Sequence, residues 1–274
     1  MVDTIKNLAA TFFWWLVLVL DTFCFALLVT VLPCRLRNGA GLRAASSLLV
    51  KAAGISVEVE GLQNVIRGRS QVFAVNHESW FDSFVLGAVL PVPITFLSKK
   101  EMFRVPIYSY IIRRLRFVCV DRANPRDALK NIDVTVALLR SGLSVVVYPE
   151  GTTKKTEKLG SFKRGAVLLA AKAGVPIVPI AVIGTSKVKT HGSLWIHFGI
   201  STRVIISEPV EVGDVGKKEQ RAVVERLRAI IEEGLTEGGR HQASNEMGLP
   251  KEQNTMQGIN HNLKARGRVG LCPG

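Results

Sequence analysis

Residues 71–90 read QVFAVNHESWFDSFVLGAVL. The segment 71–76 is a short apolar run with β-branched residues. It breaks at a polar turn, His77-Glu78-Ser79, and from Phe81 to Leu90 the chain is apolar again, now at helical length. A buried strand that turns directly into an apolar helix is the repeating unit of a layered α/β fold. The pattern extends in both directions. Short β-branched runs occur at 55–60, 94–98, 117–120, 144–148, 177–183, 194–199 and 203–207, and helical stretches at 40–53, 106–115, 125–140, 163–173 and 216–233. Asn124 is placed to cap the helix at 125–140, Pro125 suits its first turn, and Asp127 favours the positive end of its dipole. Continuous apolar strands between helices predict an α/β domain whose sheet is mostly buried and flanked by helices.

The chain upstream of this domain has a different character. Residues 8–33 are apolar for more than 20 positions, with Asp21 their only charge. That length spans a bilayer as one helix, although a carboxylate near the middle costs about 2.5–3.5 kcal/mol on insertion scales. Four readings are open: a spanning helix that tolerates Asp21, two shorter helices hinged near Asp21 in one leaflet, a cleaved signal peptide, and a buried soluble helix pair. The signal peptide is the weakest, because no small-x-small cleavage site follows. Arg35, Arg37 and Arg43 flank the block and favour the cytoplasmic side of the cell (inner) membrane. Phe12, Phe13, Trp14 and Trp15 suit an interfacial belt. From residue 239 onward the chain is polar, Gly-rich and without periodicity, which predicts disorder. The expected organisation is therefore a membrane-associating helical segment at 1–38, an α/β domain at 39–238 and a disordered polar tail at 239–274.

The net charge of +14 is concentrated in the middle of the chain, where residues 34–238 carry +12. Such an excess implies an anionic partner. Nucleic acid is not expected, because aromatic residues make up 7% of the chain and do not interleave with the basic clusters as stacking platforms would. Cys24, Cys34, Cys119 and Cys272 form no CxxC and no Cys/His cluster of zinc spacing, which argues against a disulfide framework or a metal site. Cys119 reads as a small buried hydrophobe in preference to a nucleophile.

Two stretches carry candidate chemistry. In Asn76–Asp82, His77 and Asp82 meet if His77 lies in the strand-to-helix turn and Asp82 in the first helical turn. A carboxylate there holds one imidazole nitrogen and leaves the other as a base. Ser79 is a candidate nucleophile, but a helix N-cap suits it better. A zinc protease is excluded because Phe81 stands where a second His is needed. The second stretch is Val146–Lys155, a hydrophobic strand stopped by Pro149 and followed by Glu150-Gly151-Thr152-Thr153. Lys154, Lys155, Lys158, Lys163 and Arg164 make the following segment basic, a plausible phosphate site beside a helix start or a merely solvated loop. Gly160–Gly165 has P-loop spacing, yet Ala166 and Val167 replace the required Lys and Ser/Thr. Lys99-Lys100, with Arg113, Arg114, Arg116 and Arg122 beyond, forms a further basic cluster.

Taken together these stretches resemble the glycerophosphate acyltransferase superfamily, in particular the bacterial 1-acylglycerol-3-phosphate acyltransferases, over roughly residues 55–210. Asn76, His77 and Asp82 match the first family motif. Lys99, Lys100, Pro106 and Val120-Asp121-Arg122 match the second in part. Pro149 to Thr152 with Phe162, Lys163, Gly165 and Ala166 match the third, and Val175 to Ile180 the fourth. The resemblance implies transfer of a fatty acyl group from acyl-ACP or acyl-CoA to the sn-2 hydroxyl of 1-acylglycerol-3-phosphate, with membrane lipids as partners and no metal or cofactor. It implies that His77 is the base and Asp82 its orienting partner. Glu150, Gly151 and Thr152 would shape the acceptor site, with Lys99, Lys100 and Arg122 for the acceptor phosphate. Two departures stand out. Tyr148 replaces a Phe, a change expected to matter little. Thr153 stands where relatives acting on lysophosphatidate carry Arg, whose two-pronged grip on phosphate Thr cannot supply. Either Lys154 or Arg122 compensates, or the acceptor is another lysophospholipid or lyso-ornithine lipid. The alternative of another class is a non-catalytic basic protein of membrane surfaces or nucleic acid.

Overall fold

In the computed structural model, which describes residues 2–120, 125–151, 159–188, 195–213 and 216–246, strands and helices alternate as the apolar pattern requires. α1 (Val2–Val31), α2 (Cys34–Leu36) and α3 (Leu42–Ala52) come first, with a π turn at Arg37–Gly41 joining the last two. β1 (Ser56–Glu60), β2 (Val72–Val75), α4 (Phe81–Val89), β3 (Ile94–Lys99), α5 (Tyr108–Arg114) and β4 (Val118–Val120) follow. Then come α6 (Pro125–Arg140), β5 (Ser144–Val147), α7 (Gly165–Ala173), β6 (Ile177–Ile183), α8 (Thr185–Val188), β7 (Ser201–Ile206) and α9 (Lys217–Glu246).

The strands form a seven-stranded sheet in the order β1-β7-β6-β2-β5-β3-β4. All neighbours run parallel except β6 and β7. β2, β5 and β6 are buried at every position, as strands covered on both faces must be. Edge strand β1 alternates between exposed and half-buried. One apolar cluster, with Phe73, Phe81, Leu86, Val146 and Val178, joins α1, α3 and α4 to one face of the sheet. A second, with Val72, Val145, Ile177, Leu169 and Leu227, joins α6, α7 and α9 to the other. Gly87 lets α3 approach α4 closely, since a Cβ there would lie 2.4 Å from Ser46 Oγ.

Two expectations change. The run at 194–199 is not a strand over its described part: its backbone bonds elsewhere, with His197 N–H donating to Val188 O (2.8 Å) and Ile196 N–H to Thr11 Oγ1 (3.4 Å). The last helix continues to Glu246, beyond the 233 at which the helical pattern ended and into the segment expected to be disordered. The described chain divides into two units, with the boundary after Gly238. The cap expected at Asn124 lies outside the described residues.

α1 is unbroken through Asp21, so the hinged pair of helices does not occur. Leu8–Val31 is long and apolar enough to cross a bilayer. Yet Thr11, Trp14, Phe25 and Val29 are buried at helical spacing along one face. Trp14 is fully buried, donates its Nε1–H to Leu49 O (3.1 Å) and packs against Trp80, Phe81 and Phe84. At the other end Arg114 donates to Val29 O and Thr30 O (3.1 and 2.6 Å), and Arg37 to Leu32 O (2.9 Å), satisfying carbonyls that a helix end leaves unpaired. The opposite face exposes Phe12, Leu16, Val19, Phe23 and Leu27.

Candidate active site

The parallel order β6-β2-β5 aligns three carboxyl ends, the edge at which open α/β sheets bind ligands. Asn76 makes the junction at the end of β2. Its Nδ2 donates to Val182 O (2.8 Å) and its Oδ1 accepts from Val182 N–H (2.7 Å), so the side chain continues the ladder that the backbone leaves. The chain then turns through His77-Glu78-Ser79 into α4, whose second residue is Asp82.

Asp82 is fully buried. Its Oδ2 accepts from Glu78 N–H (3.0 Å) and Ser79 N–H (3.1 Å) and lies 2.7 Å from His77 Nδ1. Its Oδ1 accepts from the Thr185 hydroxyl. A carboxylate surrounded by donors acts as an acceptor, so Nδ1 carries the proton and Nε2 keeps a lone pair. The His77 side chain is 16% exposed, which leaves that edge within reach of a substrate. Ser79 is buried, and its Oγ accepts from Phe81 N–H (3.4 Å), while Trp80 holds the N-cap position itself. Ser79 thus closes the turn from one residue earlier than expected.

Several partners were not legible in the sequence. Tyr148 stacks on His77 with ring centroids 3.9 Å apart and planes 15° from parallel, and its hydroxyl lies 3.2 Å from Ser83 Oγ. Burial, with Asp82 and Tyr108 nearby, holds that phenol well above its ordinary pKa and keeps it neutral. The residue expected to be a neutral change from Phe is therefore hydrogen-bonded through the group Phe lacks. Glu78 turns towards Gly184, Thr185 and Ser186, the junction of β6 and α8. The one available signal for Thr185 was its place just after a buried strand.

Glu150 bridges two segments: Oε1 accepts from His77 N–H (3.2 Å) and Oε2 from Gly160 N–H (2.8 Å). Oε1 braces the turn that carries His77, and Oε2 ties the segment at Gly160 to it. Gly151 has φ +78°, and a Cβ there would meet Lys163 Nζ at 3.0 Å, so glycine suits both the backbone and the close ammonium. Lys99 ends β3 and Lys100 follows it, at the same sheet edge but one strand beyond β5, roughly 10 Å across from β2. Lys100 lines a cleft of about 500 Å³ with Phe103, Arg104, Arg113, Phe117 and Cys119. Arg113 lies over the Phe103 ring, 5.4 Å from its centroid. Arg122, Thr152, Thr153 and Lys154 lie outside the described residues.

Residues 56–183, from β1 to the end of β6, match the family model described as Acyltransferase. This segment is an acyltransferase domain. It contains His77, Asp82 and Glu150, and Thr185 lies just beyond it. A chloroplastic 1-acyl-sn-glycerol-3-phosphate acyltransferase of Arabidopsis thaliana is 37% identical over 155 residues, covering 56% of this chain and 43% of that protein. A 1-acyl-sn-glycerol-3-phosphate acyltransferase of Pseudomonas aeruginosa is 28% identical over 186 residues, covering 68% of this chain and 71% of that protein. The chain thus spans less than half the length of the plastid relative. The fold of the acyltransferase domain with its flanks is that of the 1-acyl-sn-glycerophosphate (LPA) acyltransferase PlsC from Thermotoga maritima. The TM-score is 0.74 at 23% identity, over 85% of this chain and 96% of that one.

Proposed function

We propose that this chain transfers a fatty acyl group from acyl-ACP or acyl-CoA to the sn-2 hydroxyl of 1-acylglycerol-3-phosphate, giving phosphatidate. The observation that carries this reading is the His77–Asp82 pair, held at the carboxyl edge of the sheet within an acyltransferase domain. His77 Nε2 takes the proton of the acceptor hydroxyl as that oxygen attacks the thioester carbonyl. Asp82 stabilises the imidazolium that forms. The tetrahedral intermediate collapses with a new C–O bond and a broken C–S bond, and His77 returns the proton to the departing thiolate. The thioester is already activated, so this route uses no cofactor. Glu150 and Gly151 shape the turn around His77, and Thr152 belongs to the same acceptor-binding assignment. Lys99, Lys100 and Arg122 are assigned to the acceptor phosphate, with the basic cleft at Lys100 in support.

Thr153 favours a second acceptor class, since no guanidinium follows Glu150-Gly151-Thr152. The test is transfer from one labelled acyl thioester to a panel of acceptors: lysophosphatidate, lysophosphatidylcholine, lysophosphatidylethanolamine and lyso-ornithine lipid. Preference for lysophosphatidate is expected. Preference for another acceptor keeps the chemistry and reassigns the substrate. No transfer, where a control enzyme works, rejects the catalytic reading in favour of a non-catalytic membrane-surface protein.

α1 lies along the membrane at its cytoplasmic face, embedded by its outer apolar side, with residues 39–238 as the catalytic domain beside it. Support comes from burial of the helix's inner face along its length and from the polar ties at its C-terminal end. Asp21 is half-buried, away from the exposed apolar strip. In a chain cleared of native cysteines, single cysteines at the charged positions Lys6 and Arg35, one at each end of the apolar run, should both react with an impermeant maleimide added on the cytoplasmic side. Labelling of the two ends from opposite sides would establish a spanning helix instead.

A further inference from the structure

Behind the His77–Asp82 pair lies a second carboxylate. Glu78 Oε2 accepts from Gly184 N–H (3.1 Å), Ser186 N–H (3.4 Å) and Ser186 Oγ–H (3.3 Å), and lies 3.4 Å from Thr185 Oγ1. Thr185 is fully buried, and its hydroxyl also bonds Asp82 Oδ1. A hydroxyl has a single proton. The closer contact assigns it to Asp82, which leaves a Thr185 lone pair facing Glu78. When Glu78 is protonated, its proton completes a chain from Glu78 through Thr185 to Asp82. When Glu78 is ionised, the chain is interrupted and a second negative charge stands behind His77.

We infer that Thr185 and Glu78 are positioning residues that act through Asp82: Thr185 holds the carboxylate against His77, and Glu78 sets the negative charge behind it. The inference rests on the acyl-transfer reading. Burial and the charge of Asp82 raise Glu78 to about 7, against the lowering effect of its bonds to Ser186 and Gly184. Its protonation state therefore changes near neutrality. Among the described residues, the other charged or titratable groups on this turn and the elements next to it are His77 itself, Asp82 of α4, Tyr108 of α5, Tyr148 at the end of β5, Glu150 bonded to His77 N–H, Lys163 against Gly151, and Lys187 in α8. The sign follows from the chemistry. His77 becomes positive as it takes the acceptor's proton, so ionised Glu78 stabilises the transition state and neutral Glu78 does not. The contribution is gained as pH rises through Glu78's value.

The test compares kcat for the full chain and its Glu78→Gln variant in lipid vesicles, with one labelled acyl thioester and the preferred acceptor. Gln retains an oxygen for Gly184 and Ser186 but stays uncharged. The wild-type to variant ratio is expected to grow about tenfold between about pH 5.5 and about pH 8.5, with its midpoint near Glu78's own value. A ratio that is flat with pH reduces Glu78 to a structural tie and overturns the inference. Thr185→Val should lower kcat about 10–100-fold with little change in acceptor KM, and Thr185→Ser should restore it. Equal losses in both Thr185 variants overturn the role of the hydroxyl. If Thr185→Val does not fold, the Glu78→Gln ratio decides. Transfer with a flat ratio rejects this inference alone, whereas no transfer by wild type rejects the acyl-transfer reading and the inference with it.

Discussion

Replacement of His77 by alanine is expected to lower kcat for acyl transfer by about 10²–10⁴-fold, the range for losing a positioned general base. Acceptor KM should move little, because the imidazole acts on the proton and does not hold the headgroup. The fold should survive. The His77 ring is partly exposed, and Asp82 keeps the Glu78 and Ser79 N–H donors and the Thr185 hydroxyl without it. Stopped assays with labelled thioester, read beside thermal melts and vesicle flotation, separate the outcomes. Transfer at the wild-type rate by a folded, membrane-bound variant would remove His77 from the mechanism.

Asp82 should respond differently to two substitutions. In Asp82→Ala, the Glu78 and Ser79 N–H groups and His77 Nδ1–H lose their acceptor, and the Thr185 hydroxyl loses the closer of its two. An unsatisfied buried donor costs about 1–3 kcal/mol, so the turn should lose at least about 3 kcal/mol and transfer should vanish with it. In Asp82→Asn, the amide oxygen can take the place of Oδ2 and keep its three donors, while the amide N–H faces Thr185, whose hydroxyl can turn to accept. That variant should lose only about 1 kcal/mol of stability, yet its kcat should fall about 10²–10⁴-fold because no charge remains to stabilise the imidazolium. Denaturant melts and kcat measured together check this. An active Asn variant would mean that Asp82 serves the turn alone.

The two comparisons differ because one residue does two tasks, and the sequence disclosed only one of them. The five-residue spacing of His77 and Asp82, set across a strand-to-helix turn, announced the pair. It did not disclose that Asp82 is also the acceptor around which that turn closes, since backbone donors carry no mark in a sequence. Tyr148 is a similar case. Its identity was visible, but its stacking on His77 and its bond to Ser83 depend on β5 lying next to β2. For α1, apolar length was plain in residues 8–33, whereas the placement of the helix along the domain depends on Trp14, Arg114 and Arg37 finding partners on α3 and at the helix's own end. The run at 194–199 misled because strand-like composition measures a fit to a half-buried surface, and here Thr11 and Val188 supply that surface in place of a strand.

The sequence by itself determined the alternation of buried strands and helices, the turn that carries His77 and Asp82, and the apolar helix before the domain. These are local properties, set by period, turn chemistry and the hydrophobic run of each segment. Tertiary structure alone decided that Glu150 and Thr185, 73 and 108 residues after His77, stand on either side of it. That arrangement follows from the strand order β6-β2-β5, in which parallel pairing aligns carboxyl ends that are distant along the chain. Strand order is chosen by which buried faces pack together, a free energy shared among all the layers and not contained in any single segment.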